Sequence, residues 1–178
     1  MAAGELVELA LLPDFDSLPA FDESAPTFAE NAAGKALHYS RFAAEPVIAD
    51  DSGLVVPALG GAPGPKSARY AGPDASDADR VQKLLAELRA GNVSDRRARF
   101  VCTLALAGRG CVQAVFSGQA EGLLLEAPRG SGGFGYDPIF LYAPLGKTFS
   151  EISREEKNRF SHRGRAFQKL LAFLKQGP

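Results

Sequence analysis

Residues 99–118 read RFVCTLALAGRGCVQAVFSG, and the reading of this stretch decides the fold. Its two arms, 99–107 and 112–118, are rich in Val, Leu, Phe and Thr, types that suit a pleated, half-buried surface. Gly108-Arg109-Gly110 separates them, and glycine supplies the positive φ that a tight turn between strands requires. The stretch therefore reads as a β-hairpin, which places at least one antiparallel pair in the chain.

Toward the N-terminus, Val47-Ile48-Ala49 is a short apolar run expected to form a strand that stops on Asp50-Asp51-Ser52-Gly53. Before it, Thr27 and Glu30 have the capping-box spacing, predicting a helix over 28–44 that ends ahead of Pro46. Residues 13–26 are rich in Pro and Asp and read as loop, and the apolar run 5–12 is expected to be a strand. Between the acid pair and the hairpin, Gly60, Gly61, Pro63, Gly64 and Pro65 exclude regular structure. Ser76 and Asp79 then repeat the capping form before Val81, Leu84, Leu85 and Leu88, which follow a 3.6-residue period. Toward the C-terminus, residues 123–126 suggest a further strand. Ser153 with Glu156 makes a third capping box, and Phe167, Leu170, Leu171 and Leu174 form one buried helical stripe. Interleaved helices and strands indicate an α/β fold, one domain over residues 1–178 on a long central mixed sheet.

A hydrophobic fraction of 46% in 178 residues suffices for one core. The formal charge of −1 gives no reason to expect a polyanion, which would need a basic face, so a small-molecule partner is expected rather than nucleic acid. With two His and no Cys/His cluster, zinc spacing is absent. Cys102 and Cys111 could face each other across the hairpin, and read most simply as buried reduced thiols. No apolar run approaches the ~18 residues of a membrane span. Met1-Ala2-Ala3-Gly4-Glu5 lacks a basic flank before an apolar block, so the cytoplasm is the expected location.

Four constellations carry candidate chemistry. Asp50-Asp51-Ser52-Gly53 offers hard carboxylate oxygens of the kind Mg²⁺ takes together with substrate phosphates, or equally an Asx turn. Asn31 and Lys35, spaced i, i+4, share one helix face and could contact a phosphate or simply face solvent. In Gly130-Ser131-Gly132-Gly133-Phe134-Gly135-Tyr136-Asp137, glycines permit close backbone approach. Phe134 or Tyr136 could lie on a planar base, and Asp137 could accept from a ring N–H; alternatively the aromatics cap the core. Finally, Lys157, His162 and Arg163 gather cations near a helix start, a place suited to a phosphate or a carbonyl-rich base, or to plain surface charge.

Taken in order, these blocks resemble the inosine triphosphate pyrophosphatase family of nucleotide hydrolases. They are Thr27-Phe28-Ala29-Glu30-Asn31 with Lys35, Ala49-Asp50-Asp51-Ser52-Gly53-Leu54, the 58–64 and 67–72 loops, 132–138, 146–149, and 156–158 with Ser161-His162-Arg163-Gly164. The resemblance implies two α/β lobes around a long, curved, mixed sheet with flanking helices, the nucleotide in the cleft between them, and a homodimer. It implies hydrolysis of ITP, dITP and XTP to the monophosphate and pyrophosphate, with Mg²⁺ as cofactor. Asp51 would be the proton acceptor and a metal ligand, with Asp22 or Glu23 as a further acid at the metal. Ser52, Asn31 and Lys35 would meet the substrate's phosphate end. Phe134, Gly135, Tyr136, Asp137, Lys157, His162 and Arg163 would form the base pocket.

The sequence departs from the family in one respect. Members open with a strand leading into Ser/Thr-x-Asn-x-x-Lys, a phosphate grip, and that motif does not occur before Thr27. Either the reading frame continues upstream, or this is a short form that binds purine nucleotides weakly or serves as a non-catalytic partner.

Overall fold

The computed structural model describes residues 8–176. Five strands form one sheet in the order β1-β2-β3-β4-β5: Val47–Val55, Arg97–Gly108, Cys111–Leu124, Phe140–Tyr142 and Lys147–Thr148. The hairpin of 99–118 is its centre. Arg109 and Gly110, at φ 52° and 77°, make the tight turn, and both strands run longer than the sequence suggests. Of the expected separate strand at 123–126, Leu123 and Leu124 are the end of β3, and Leu125 and Glu126 lie beyond it. A register shift at Leu106/Ala107 marks a bulge that helps the sheet curl.

Four ladders join these strands, and each is antiparallel. The α/β class, curved sheet and flanking helices are as expected. The mixed pairing is not found among the described residues, because the long connection carrying a helix between β1 and β2 returns the chain in the opposite sense.

Helix α1 (Phe28–Tyr39) begins at Thr27, whose hydroxyl accepts the Glu30 N–H. Its α-helical part ends at Tyr39, earlier than residue 44, and a single 3₁₀ turn, Ser40–Phe42, follows. Helix α2 (Asp77–Ala90) and helix α3 (Arg154–Phe160) both start with reciprocal capping boxes, Ser76/Asp79 and Ser153/Glu156. Helix α4 (His162–Gln176) follows α3 almost directly. Of the apolar run 5–12, residues 8–12 form no strand and Leu11 is exposed; residues 5–7 lie outside the described residues. An apolar run becomes a strand only with a ladder partner, and no ladder reaches this one.

Helices cover both faces of the β1–β2 region. Ala32 and Ala36 of α1 pack on Ala49, Ala105 and Ala107, where small side chains let helix and sheet approach. On the opposite face, Ala166 and Leu170 of α4 pack on Cys102 and Leu104. The largest core lies beyond, where the α2 leucines meet Leu54, Phe100, Phe140 and Phe149. Gly118 on β3 makes the α4 contact possible: a Cβ there would lie 2.2 Å from the His162 carbonyl oxygen.

Candidate active site

β1 continues through Asp50-Asp51-Ser52-Gly53 to Val55 instead of ending on the acids. The consequence is geometric. Successive strand residues point to opposite faces, so the two carboxylates separate. Asp51 turns with Ala49 toward α1, and Asp50 and Ser52 turn with Ile48 toward α4.

On the α1 side, Asp51 is 5% exposed and its Oδ2 has no hydrogen-bond partner among the described residues. Burial pushes its pKa up, against the opposing pull of Asn31 and Lys35, with Glu23 and Asp50 adding repulsion. Asn31 is fully buried, and its side chain also exchanges hydrogen bonds with the Ala25 backbone, pinning the preceding loop. Lys35 Nζ bridges that loop to the strand, 2.6 Å from Glu23 Oε1 and 3.0 Å from the Asp50 carbonyl oxygen. The acid brought beside Asp51 is thus Glu23. Asp22 is exposed and makes no ion pair among the described residues, since alternate residues of this extended loop face outward.

On the α4 side, the Asp50 carboxylate accepts from the Ser52 hydroxyl through Oδ1 (2.5 Å). Its Oδ2 lies 3.2 Å from Arg163 Nε and 3.5 Å from Cys102 Sγ. Cys102 is fully buried, and burial together with Asp50 pushes its thiol up to about 12, so it stays protonated. Cys111 is exposed at the turn and pairs with Gly108, so the two thiols do not face each other.

Next to Ser52 opens a cavity of about 160 Å³, lined by Ser67, Asp77, Phe100, Phe134, His162 and Arg163 among others. Phe134 is half-exposed at its rim, with Lys157 Nζ 4.3 Å and Arg163 Cζ 5.2 Å from the ring centroid. Cations over an aromatic face are drawn to its π-electrons and help hold the ring in place. His162 is buried and stacks on Phe100, with centroids 4.7 Å apart and planes 12° from parallel. Burial first, and then the charges of Arg163 and Lys157, push its pKa down to about 3, so it is neutral near pH 7.

Of the expected base pocket, Phe134, Gly135, Tyr136, His162 and Arg163 line this cavity, whereas Asp137 and Lys157 do not. Asp137 is 1% exposed, and its Oδ2 takes the Phe134 N–H at 2.8 Å and the Lys157 ammonium. Asp137 and Lys157 are therefore committed to each other and to Phe134. A buried carboxylate needs such partners. Tyr136 is 3% exposed and donates to the Ser67 carbonyl oxygen at 3.0 Å, tying the aromatic loop to the 64–69 turn. Gly135, at φ 62°, donates its N–H to Asp77 Oδ2 at 2.6 Å. Sequence reasoning passed over Asp77, whose link to Gly135 spans 58 positions, and Ser67, whose hydroxyl accepts the Leu54 N–H at the edge of β1. Only the first-turn place of Asp77 in α2 could have drawn notice to it.

Comparison with known proteins agrees with this arrangement. Residues 1–173 match the Ham1 family. A protein of Syntrophobacter fumaroxidans named dITP/XTP pyrophosphatase is 55% identical over 164 residues, 92% of this chain and 70% of that protein. One of the same name from Geobacillus kaustophilus is 53% identical, over 92% and 80%. The solved structure of a HAM1 protein from Coxiella burnetii superposes with a TM-score of 0.86 at 44% identity, covering 90% of this chain and 83% of that one. The Staphylococcus aureus Ham1 protein gives 0.85 at 44%, covering 94% and 84%. With a family match over nearly its whole length, relatives sharing half their residues and solved neighbours of the same fold, the chain belongs to the Ham1 family.

Proposed function

We propose that this chain hydrolyses 6-oxo purine nucleoside triphosphates (ITP, dITP and XTP) to the monophosphate and pyrophosphate, cleansing the nucleotide pool. One observation carries the reading. A buried, partner-seeking carboxylate beside Lys35 lies one strand residue away from an aromatic, cationic cavity, so anhydride chemistry and base recognition meet across a single strand. The names of the relatives agree with it.

The donor set fits Mg²⁺. Asp51 Oδ2 is an oxygen without a partner, and Glu23 stands near it. Among the described residues no group of three or more His, Cys, Asp or Glu is placed to hold a metal ion, so water and substrate phosphates would have to complete the coordination. Asp51 and Glu23 would hold it. When bound, Mg²⁺ would offset the charge that builds on the phosphate oxygens.

Lys35 draws the triphosphate to the α1 face and screens its negative charge from the acids. Asp51, its basicity raised by burial, takes the proton of a water aimed at the α-phosphorus. As the new P–O bond forms, the bond to the α–β bridging oxygen breaks, and its electron pair leaves with pyrophosphate. On the other face, Phe134 stacks the purine and Arg163 donates to its 6-oxo edge, with Ser52 between. A 6-amino purine would set donor against donor, a mismatch that a site of limited solvent access penalises. His162, neutral, closes the floor of the cavity.

The same reading includes a cytoplasmic homodimer with neither nucleic acid nor membrane as partner. None of the described helices is long and apolar enough to cross a membrane, and equilibrium sedimentation checks the dimer. The decisive assay is pyrophosphate release from ITP, dITP, XTP and ATP with Mg²⁺, for the wild type and Asp51→Asn. Fast release from the oxo-purines, lost by about 10²- to 10⁴-fold in the variant, is expected. Binding without release would reduce the chain to a nucleotide-binding module, and an active variant would remove Asp51 from the chemistry.

A further inference from the structure

We propose that Asp50, the other acid of the pair, is the positioning residue that fixes Arg163 for selection of the 6-oxo base, so that the two neighbouring carboxylates serve different ends of the substrate. This rests on the proposed function and deepens its account of base selection.

Asp50 and Asp51 are adjacent in a regular strand, so their carboxylates are directed to opposite faces, and only Asp51 is on the side of Lys35 and Asn31. Asp50 is not idle on its own side. Oδ2 lies 3.2 Å from Arg163 Nε, and Oδ1 accepts the Ser52 hydroxyl. The Cys102 thiol lies 3.5 Å from the same Oδ2, from beneath. A carboxylate held at both oxygens cannot swing around the strand to serve phosphate chemistry.

Arg163 needs such an anchor. Its side chain is half exposed, and a long side chain in water spreads over many rotamers unless something holds it. The ion pair with Asp50 reaches the guanidinium at Nε, and the guanidinium carbon sits 5.2 Å from the Phe134 ring centroid. The planar fork is thereby set beside the surface on which a base would stack, with its direction fixed by Asp50. The backbone on which Asp50 rides is itself held, since its carbonyl oxygen accepts from Lys35 Nζ at 3.0 Å. The cation assigned to the triphosphate thus touches the same residue that aims the base reader.

The test is steady-state kinetics with ITP and ATP for the wild type, Asp50→Asn, Arg163→Ala and the double variant. Asp50→Asn directs an amide N–H₂ or a weaker acceptor at Arg163, and should lower the ITP-to-ATP ratio of kcat/KM by about tenfold or more. The loss should fall on the KM for ITP, with kcat largely kept. In the double variant the ratio should equal that of Arg163→Ala alone, because the two side chains act as one unit. Independent, multiplying effects would overturn the proposal, as would a collapse of kcat for both nucleotides. Should Asp50→Asn fail to fold by circular dichroism, Asp50→Glu decides. It keeps the charge but displaces the carboxylate by one methylene, so an unaltered ITP preference in it would refute the role. A wild type that favours ITP no more than ATP removes the proposed function itself. A wild type that favours ITP beside an Asp50→Asn variant of equal preference removes only the role of Asp50.

Discussion

His162 makes the fold sensitive to acid, and the size of the effect follows from its surroundings. The ring is buried against Phe100, its Nδ1 has no partner, and the two cations nearest it are Arg163 and Lys157. Its folded pKa, pushed down to about 3, lies far below the 6.5 of an unperturbed histidine. As pH falls below the unfolded value, the unfolded chain takes up this proton and the folded chain does not. Stability is therefore whole above about pH 6.5 and drains away as pH falls toward the folded pKa. Lowering pH from about 7.5 to about 5 crosses roughly one and a half pH units of that window, a loss of about 2 kcal/mol. With a urea dependence of about 2 kcal/mol/M, the unfolding midpoint should drop by roughly 1 M. The chain has no Trp, so far-ultraviolet circular dichroism is the signal to follow. The comparison is His162→Phe, which keeps a ring on Phe100 and cannot titrate. Carboxylates held low by their hydrogen bonds, such as Glu151 and Glu156, titrate alike in both proteins. Subtracting the two profiles isolates His162. If His162→Phe lost as much stability between these pH values as the wild type, the assignment of a buried neutral imidazole would fail.

Phe134→Ala should raise the KM for ITP about tenfold with kcat largely kept, since an aromatic stack is worth about 0.5–1.5 kcal/mol beyond its area; an equal fall in kcat would show that the ring does more than hold the base. Asp51→Asn should raise the melting midpoint by a few degrees at pH 7 even as turnover disappears, because it removes a buried charge disfavoured by desolvation; a lower midpoint, read by thermal circular dichroism, would contradict that. Gly118→Ala should destabilise by about 3 kcal/mol in urea titrations, since the new Cβ meets the His162 oxygen and the Ala166 nitrogen, at 2.2 and 2.5 Å. A neutral result would mean that α4 can withdraw from β3 freely.

Local signals in the sequence proved sufficient for local structure. Ser76/Asp79 and Ser153/Glu156 cap their helices as their spacing requires, and the leucines of α2 are buried as their period requires. The hairpin turn falls on Arg109 and Gly110. What the sequence concealed is long-range. Nothing near Asp137 says that Lys157 will occupy its carboxylate, and nothing near Asp77 says that it will hold the aromatic loop at Gly135. Whether an acid in the 13–26 loop faces Asp51 depends on which way an extended segment turns. Asn31 settles this through its grip on Ala25, leaving Glu23 inward and Asp22 outward.

The end of β1 was the most consequential of these hidden features. Had the strand stopped at Ala49, Asp50 and Asp51 would share a flexible turn and could act together on one ion. Strand propensity argues for that stop, since aspartate and glycine are poor strand formers. Tertiary pairing overrides it: each residue from Val47 to Val55 has a partner on β2, and Gly53 is tolerated because the 64–69 turn presses where a side chain would stand. A ladder that runs through the acids imposes alternation on them, and alternation cannot place neighbouring side chains on one face. Asp51 then acquires a buried setting flanked by Lys35 and Asn31. Asp50 acquires a guanidinium and a hydroxyl. Two residues of one type thus come to differ in their surroundings through the backbone alone. A variant that ended the strand early should therefore disturb turnover and base preference together, though neither carboxylate had been touched.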